Sequence, residues 1–362
     1  MKVMAQCHSK SGLVVILLAL SLTCKDKGVE PTAPPKDPRT YTFTVDTLAY
    51  PSYASQTNMY DIAGTSTSNV FTVGHNSSSA AGSMFRFDGK RWRTTGFSRE
   101  EGGPISGSLD LFSVLAFSAS DIWFAGALFP QNPNPPPITI DSSLLVHYDG
   151  MNWQEYNVSG ARLLEAIHGI SPNDIWACGY YGTVLHYNGF QWKRDSIQFP
   201  VPDGAFFALR HIRAVSPSIV YALGQVQKLG QFTVFYIFQR SGGNWEVIDS
   251  TVDGSESFGK SDLWVSPSGI LYTTGGLGVY RRDSTQWKKI FSAAEPLRRI
   301  WGYNDNNIFV GGHRTLLHYN GTDFYQYPNA NGDMVYSGMW GDGKELFVAG
   351  NDGNKSYIFH GK

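Results

Sequence analysis

Short alternations of apolar and polar positions, each cut off by Gly, Asn, Asp, Ser or Pro, run through the chain from about residue 41 to its end. One spacing recurs within them: an apolar residue, an aromatic nine positions on, and a glycine three after that. It reads Ile62, Phe71, Gly74, then Val114, Trp123, Gly126, then Ile167, Trp176, Gly179, then Ile212, Tyr221, Gly224, then Leu263, Tyr272, Gly275, then Ile300, Phe309, Gly312. A further copy, Met339, Phe347, Gly350, is one residue shorter in its turn. The unit is clearest in IHGISPNDIWACGYYGTVLHYNGFQW, from Ile167 to Trp192, which predicts four short strands: His168 to Ile170, Ile175 to Cys178, Thr183 to Tyr187, and Phe190 to Asp195. The Asn188-Gly189 step between the last two is a strong hairpin signal, because both turn residues must take positive φ.

A unit of roughly 40 residues that cannot bury its own faces must stack against its neighbours. The fold expected is all-β: a seven-bladed β-propeller of four-stranded antiparallel blades. Turn signals at Asp88-Gly89, Asp149-Gly150, Gly242-Gly243, Asp283-Ser284 and Asn320-Gly321 each precede an aromatic, namely Trp92, Trp153, Trp245, Trp287 and Phe324, as Asn188-Gly189 precedes Trp192. Rings repeated on the outermost strand are expected to pack blade on blade. The final copy lacks a fourth strand, while Tyr41 to Leu48 is a clean alternation ahead of the first copy. The N-terminal strand is therefore expected to lie beside Ser356 to His360 in a 3+1 closure that hides both edges.

Composition narrows the picture. A chain of 362 residues, 42% hydrophobic with 39 glycines, suits a turn-rich β domain with a large core. The formal charge of −1 and the lack of a basic block argue against nucleic acid as a partner. Residues 1–23 read as a targeting segment, with Lys2 and Lys10 before the apolar run Gly12 to Leu22. The run ends Leu20-Ser21-Leu22-Thr23-Cys24, which resembles a bacterial lipobox, although Ser21 and Thr23 depart from the residues usual three and one before the cysteine. That resemblance implies lipidation of Cys24, with residues 24–40 as a Pro-rich tether and 41–362 as the propeller. Cys24-Lys25-Asp26 also resembles export signals of surface lipoproteins, so the expected address is the outer membrane or cell surface, or a periplasm-facing anchor. With Cys7 in the targeting segment and Cys24 lipidated, Cys178 is left as a lone buried thiol.

Successive turns of a four-stranded meander alternate between two ends. The end holding the second-to-third turns and the blade crossings carries the long insertions: Ser77 to Ser83, Leu128 to Ser143, Gln225 to Gln231, Phe97 to Leu109, Gln198 to Ala208 and Thr251 to Gly259. Long loops gathered on a rigid frame are where binding is expected. On the inner strands, the position after each apolar anchor holds Ala63, Leu115, His168, Arg213, Trp264, Trp301 and Trp340, followed mostly by Gly or Ala. Large beside small suits wedging between blades. The functional reading is that His168, Arg213, Trp264, Trp301 and Trp340 reach the upper mouth of a central channel, with indoles for sugars or cations and Arg213 for a carboxylate or phosphate. The third-strand column His147, His186, His318 and His360, with Arg86 and Arg281 in equivalent places, is read as repeat-bound hydrogen bonding rather than a metal site, because its members sit on different blades. No metal and no cofactor is expected.

The segment DIWACG...GTVLHYNGFQW resembles the repeats of secreted bacterial propellers, especially sensor propellers with an IW-x-G-T-x-x-G-L-x-x-YDG-x-x-W pattern outside two-component kinases, and more loosely BNR and WD40-like blades. The resemblance covers roughly residues 50–362, and it implies recognition of carbohydrate or related extracellular signals. The leading expectation is a non-enzymatic, monomeric, lipid-anchored binding protein presenting its loop-rich face to a glycan, a peptide or an envelope protein. The alternatives are a propeller hydrolase or lyase acting on glycans, with Asp110, Glu165 and Asp262 at the starts of inner strands as its carboxylates, and a structural scaffold of an envelope assembly. The Ser-x-Asp-x-Gly-x-Thr-Trp box of sialidase-type blades does not occur, which weakens the glycosidase reading.

Overall fold

The computed structural model describes residues 36–48, 56–77, 81–129, 142–255, 257–328 and 332–362. The expected targeting segment, the lipidated Cys24, the first part of the tether and the centres of the Ser77 to Ser83 and Leu128 to Ser143 loops lie outside those residues. No helix among the described residues is long and apolar enough to cross a membrane.

The architecture is all-β, built of antiparallel four-stranded meanders. Leu164–Ser171, Asp174–Gly179, Val184–Tyr187 and Trp192–Asp195 form one, and Phe206–Ser216, Ile219–Gln227, Val234–Ser241 and Asn244–Val252 form the next. Thr57–Ser66, Asn69–Asn76, Met84–Phe87 and Trp92–Thr94 are joined to Ser108–Ser118, Asp121–Phe129, Ser142–Tyr148 and Trp153–Glu155 at a single residue pair, His75 opposite Asp110. A six-stranded sheet runs Asp262–Val265, Leu271–Asp283, Gln286–Asn304, Asn307–Gly312, Thr315–Tyr319 and Phe324–Gln326. Within it Gln286–Asn304 is unbroken: its first half pairs back on Leu271–Asp283 and its second half forward on Asn307–Gly312. The two units at that point are joined by an extended crossing.

Val335–Gly341, Leu346–Asn351 and Ser356–Gly361 form the last meander, and Phe43–Leu48 pairs antiparallel with Ser356–Gly361 from Phe43 opposite Gly361 to Leu48 opposite Ser356. Ordered contacts begin ahead of that strand, within the span expected to be tether. Pro38–Thr40 makes a 3-10 turn, Arg39 pairs with Asp323 at 3.0 Å, and the Tyr327 hydroxyl donates to the carbonyl of Pro38 at 2.9 Å.

The repeat's chemistry becomes concrete in the packing. The second-strand aromatic stacks on the third-strand histidine, and that histidine hydrogen-bonds the residue that opens the second strand. Trp176 lies 3.9 Å from the His186 ring, His186 Nε2 is 2.9 Å from Asp174 Oδ1, and the indole of Trp176 donates to the same carboxylate at 2.8 Å. Trp123, His147 and Asp121 repeat the arrangement. In the same column His318 faces Asn307 at 3.0 Å, and Arg86 donates to Asn69 at 2.7 Å. His360 stacks on Phe347 and meets Glu345, two residues before that ring, so it keeps the arrangement, whereas Arg281 meets Asp283 on its own strand. The outer aromatics reach the preceding unit as expected: Trp192 packs on Trp123, Trp245 on Trp176, Trp92 on Phe347 and Phe324 on Phe291. Cys178 is fully buried and unpaired, and burial holds its thiol well above the ordinary range.

Candidate functional site at the inner strands

The inner strand of every unit except the one that begins at Asp262–Val265 carries an irregularity that the alternation of the sequence hides. Register slips between Met59 and Asp61, Leu111 and Ser113, Leu164 and Ala166, Leu209 and His211, Leu297 and Arg299, and Tyr336 and Gly338. Each slip is a β-bulge that leaves one residue unopposed and re-aims its side chain. The unopposed residues are Tyr60, Phe112, Glu165, Arg210, Arg298 and Ser337, and all of them line one cavity of about 470 Å³. Because a bulge turns two consecutive residues the same way, Arg210 with His211 and Arg298 with Arg299 both face it. Asn58, Gln225, Lys260, Ser261, Val335 and Asn351 complete its lining. This end of the strands is the end of the second-to-third turns and the crossings, the loop-rich face expected from the sequence.

A second cavity of about 260 Å³ lies further along the inner strands, towards the tight first-to-second turns, and shares Glu165, His211 and Arg299 with the first. His168, Arg213, Trp264, Trp301 and Trp340 all line this one. The strands thus bring the five together, but away from the loop-rich mouth where the upper-channel expectation put them. Much of their surface is spent on packing. Trp264 is buried against Tyr272, Trp301 sits edge-on to Tyr303, and Trp340 covers Gly64, where a Cβ would come 2.9 Å from its ring. Arg213 donates to the carbonyl of Leu263 at 3.0 Å. His168 Nδ1 accepts the Ala214 N–H at 3.2 Å, and burial, helped by the nearby Arg213 charge, pushes its pKa down to about 3, so the ring is a neutral acceptor at neutral pH.

The charged groups of the inner strands are held in place by one another. Asp262 accepts from its neighbour Leu263 N–H at 2.7 Å and from Ile300 N–H of the next unit at 3.0 Å, and pairs with His211 at 2.9 Å. Burial alone would raise its pKa, but His211, with Arg299 and Arg213 behind it, holds the carboxyl far below the usual range. Asp61 does the same work elsewhere, accepting from Ile62 N–H, the Ser113 hydroxyl and Val114 N–H. Arg299 donates to the carbonyls of Ser337 and Tyr60. The three carboxylates singled out in the sequence are each engaged with a basic partner: Asp110 with His75, Glu165 with Arg210 and Asp262 with His211. Glu165 and Asp262 both line the smaller cavity, each held by its own basic partner. Tyr60 stacks on Phe112 at 5.5 Å, and burial together with Asp110 and Glu165 pushes its hydroxyl up to about 12.

At the bulged position the sequence reading singled out only Glu165 and missed the other five residues. Its signal was two positions before each apolar anchor, where Tyr60, Phe112, Glu165, Arg210, Arg298 and Ser337 stand in otherwise apolar strands.

No family model matches the chain, and no curated protein matches it. Solved structures do. YCF48 bound to a D1 peptide aligns with a TM-score of 0.58 at 14% identity, over 90% of this chain and 95% of that one. A catalytically inactive virginiamycin B lyase from Staphylococcus aureus, with quinupristin, gives 0.59 at 12% identity over 88% and 99%. The extracellular domain of a hybrid two-component system from B. thetaiotaomicron gives 0.57 at 10% identity over 88% of this chain and 42% of that one. The fold is a β-propeller. At these identities the likeness extends to the fold alone.

Proposed function

We propose that the chain is a lipid-anchored, extracytoplasmic binding protein whose seven-bladed propeller presents its loop-rich mouth to a partner molecule. Residues 1–23 would direct export and Cys24 would carry the lipid, a reading supported by the apolar run that ends at Leu20-Ser21-Leu22-Thr23-Cys24. Closure of the ring by Phe43–Leu48 is supported by its pairing with Ser356–Gly361 and by two hydroxyls that tie the last unit to the first. The Ser337 hydroxyl donates to the carbonyl of Met59 at 2.6 Å, and the Ser356 hydroxyl to that of Thr57 at 2.8 Å. Counting the crossing strand Gln286–Asn304 in both of the units it serves gives seven units in all, matching the seven copies of the repeat.

The observation that carries the binding reading is the 470 Å³ cavity itself. Bulges spend backbone pairing at successive inner strands to aim unlike side chains into one open space at the loop-rich end, and core packing does not require that. A glycan, a peptide or an envelope protein each needs such a surface, and a monomeric ring suffices to supply it. A hydrolytic reading is weaker, since Asp110, Glu165 and Asp262 are all neutralised by their own partners.

The test is binding of the full chain, purified in detergent, to glycan and peptide arrays, repeated with Tyr60→Ala, Trp301→Ala and Arg213→Ala. Loss with Tyr60→Ala and retention with the other two is expected. The opposite pattern would move the site to the tight-turn end, and binding indifferent to all three would remove the channel altogether. Metabolic labelling with a radioactive fatty acid, lost on Cys24→Ala, is the expected outcome for the anchor.

A further inference from the structure

Of the basic groups at the loop-side mouth, most are already occupied. Arg210 holds Glu165, Arg299 is spent on the carbonyls of Ser337 and Tyr60, and Lys260 reaches the carbonyl of Val252 at 3.1 Å and Asp253 at 3.4 Å. Arg298 is different. It is exposed, it is aimed into the cavity by the bulge at its own position, and it has no hydrogen-bond or ion-pair partner among the described residues. Four cations line this cavity against the single carboxylate of Glu165, with the buried Asp262 behind them. An unpaired guanidinium in a concave, positively biased mouth is a fixed site for a carboxylate or phosphate.

The surroundings narrow the class. On the blade that contributes Arg210, the turn after Gln225 exposes Leu229 and Phe232, with 99% and 77% of their surfaces accessible. Tyr181, on the adjoining turn, is 63% exposed and lies edge-on to Phe206, while Tyr180 lies beneath the Arg210 guanidinium at 5.4 Å. Gln225, on the strand that leads into the apolar turn, lines the cavity. A free aliphatic side chain such as Leu229 gives a pyranose no flat face to stack on, whereas it suits another apolar side chain. The amides of Asn58, Gln225 and Asn351 offer both donors and acceptors, as an extended backbone requires.

Building on the reading of the mouth as a binding site, we propose that its ligand is an acidic peptide segment. A carboxylate, from a side chain or a free C-terminus, pairs with Arg298, and neighbouring apolar residues lie over Leu229, Phe232 and Tyr181.

The experiment is selection of a displayed random peptide library on the full chain in detergent, run in parallel on the Arg298→Glu variant, with an array of galacturonate-containing oligosaccharides alongside. Arg298 is exposed and unpaired, so the variant keeps the fold, which a melting curve checks. Enrichment of Asp and Glu among wild-type binders is expected, with flanking apolar residues. Synthetic copies should lose about tenfold or more in affinity with Arg298→Glu and weaken as salt is raised. Tyr60-dependent binders without acidic enrichment would overturn the acidic class while leaving the mouth as the site. Uptake of galacturonate oligosaccharides that depends on Arg298, with no peptide enrichment, would overturn the peptide class. Acidic binders indifferent to Arg298→Glu would overturn the assignment of this arginine.

Discussion

The glycine that closes each repeat shows how one position dictates the rest. A Cβ at residue 179 would lie 1.8 Å from the carbonyl oxygen of Leu163, at residue 74 it would lie 1.9 Å from that of Asn58, and at residue 126 it would lie 2.0 Å from that of Asp110. Each of these carbonyls stands just before a bulge on the inner strand, where the backbone swings towards its partner. The glycine is therefore the space into which the bulge is pressed, and the bulge is what aims Tyr60, Phe112 or Glu165 at the axis. Gly179→Ala should cost about 1–3 kcal/mol by urea denaturation, since backbone rather than a yielding side chain blocks the methyl. Gly332→Ala, where nothing lies within 4 Å, should be nearly neutral. The spacing was visible in the sequence because most copies need room at this position for the backbone of the inner strand. The bulged residue was not, because the residues there are mixed: rings at 60 and 112, an acid at 165, arginines at 210 and 298, a serine at 337. With no shared chemistry, and with a slip that breaks the period of two, neither composition nor alternation marks it.

Between elements, the contacts that join neighbouring inner strands are polar. Asp262 bonds the backbone of the next unit through Ile300, Asp61 does so through Val114, and His168 accepts from Ala214. Sequence reading treated Asp262 as a candidate catalyst and His168 as a candidate ligand group, because only the packed geometry reveals which backbone donor each one meets. The histidine links make stability depend on pH. His168 titrates near 3 and His318 near 4, in both cases because burial disfavours the charged ring, whereas the unfolded chain binds these protons near 6.5. A depressed histidine value means that the unfolded state takes up protons first as pH falls. Their contribution is therefore complete above about 6.5 and is lost progressively towards 4 and below. His75 acts in the opposite sense: its hydrogen bond to Asp110 raises its pKa against the effect of burial, so its share is present below 6.5 and declines above. A fall in melting temperature between pH 6.5 and 4 is expected, and His168→Asn, which keeps an acceptor but cannot titrate, should make that slope shallower in thermal scans.

At the scale of the molecule, the N-terminal strand and the last meander form one sheet, and Thr57–Ser66 of the first meander packs beside Val335–Gly341 of the last. If Phe43–Leu48 closes the ring, deleting residues 36–48 opens it. It also strips Tyr41 and Phe43 from the cluster around Tyr327 and Tyr336 and exposes an unpaired edge along Ser356–Gly361. One cooperative transition at a clearly lower temperature is the expected calorimetric result. An unchanged transition would mean that the strand is dispensable. The all-β class could be read in advance from the short alternations, and the pairing of Phe43–Leu48 with Ser356–Gly361 from the clean alternation of Tyr41 to Leu48 ahead of the first copy.

The unbroken strand Gln286–Asn304 has a mechanical meaning. Other units meet through loops that can bend independently, but here a single ribbon runs from Trp287 at the rim, through Arg298 at the mouth, to Trp301 beside the inner cavity. A pull on the guanidinium is passed through the bulge at Arg298 along one continuous strand to the perimeter. The outer edge near Trp287 is thus in line, along one strand, with whatever Arg298 holds.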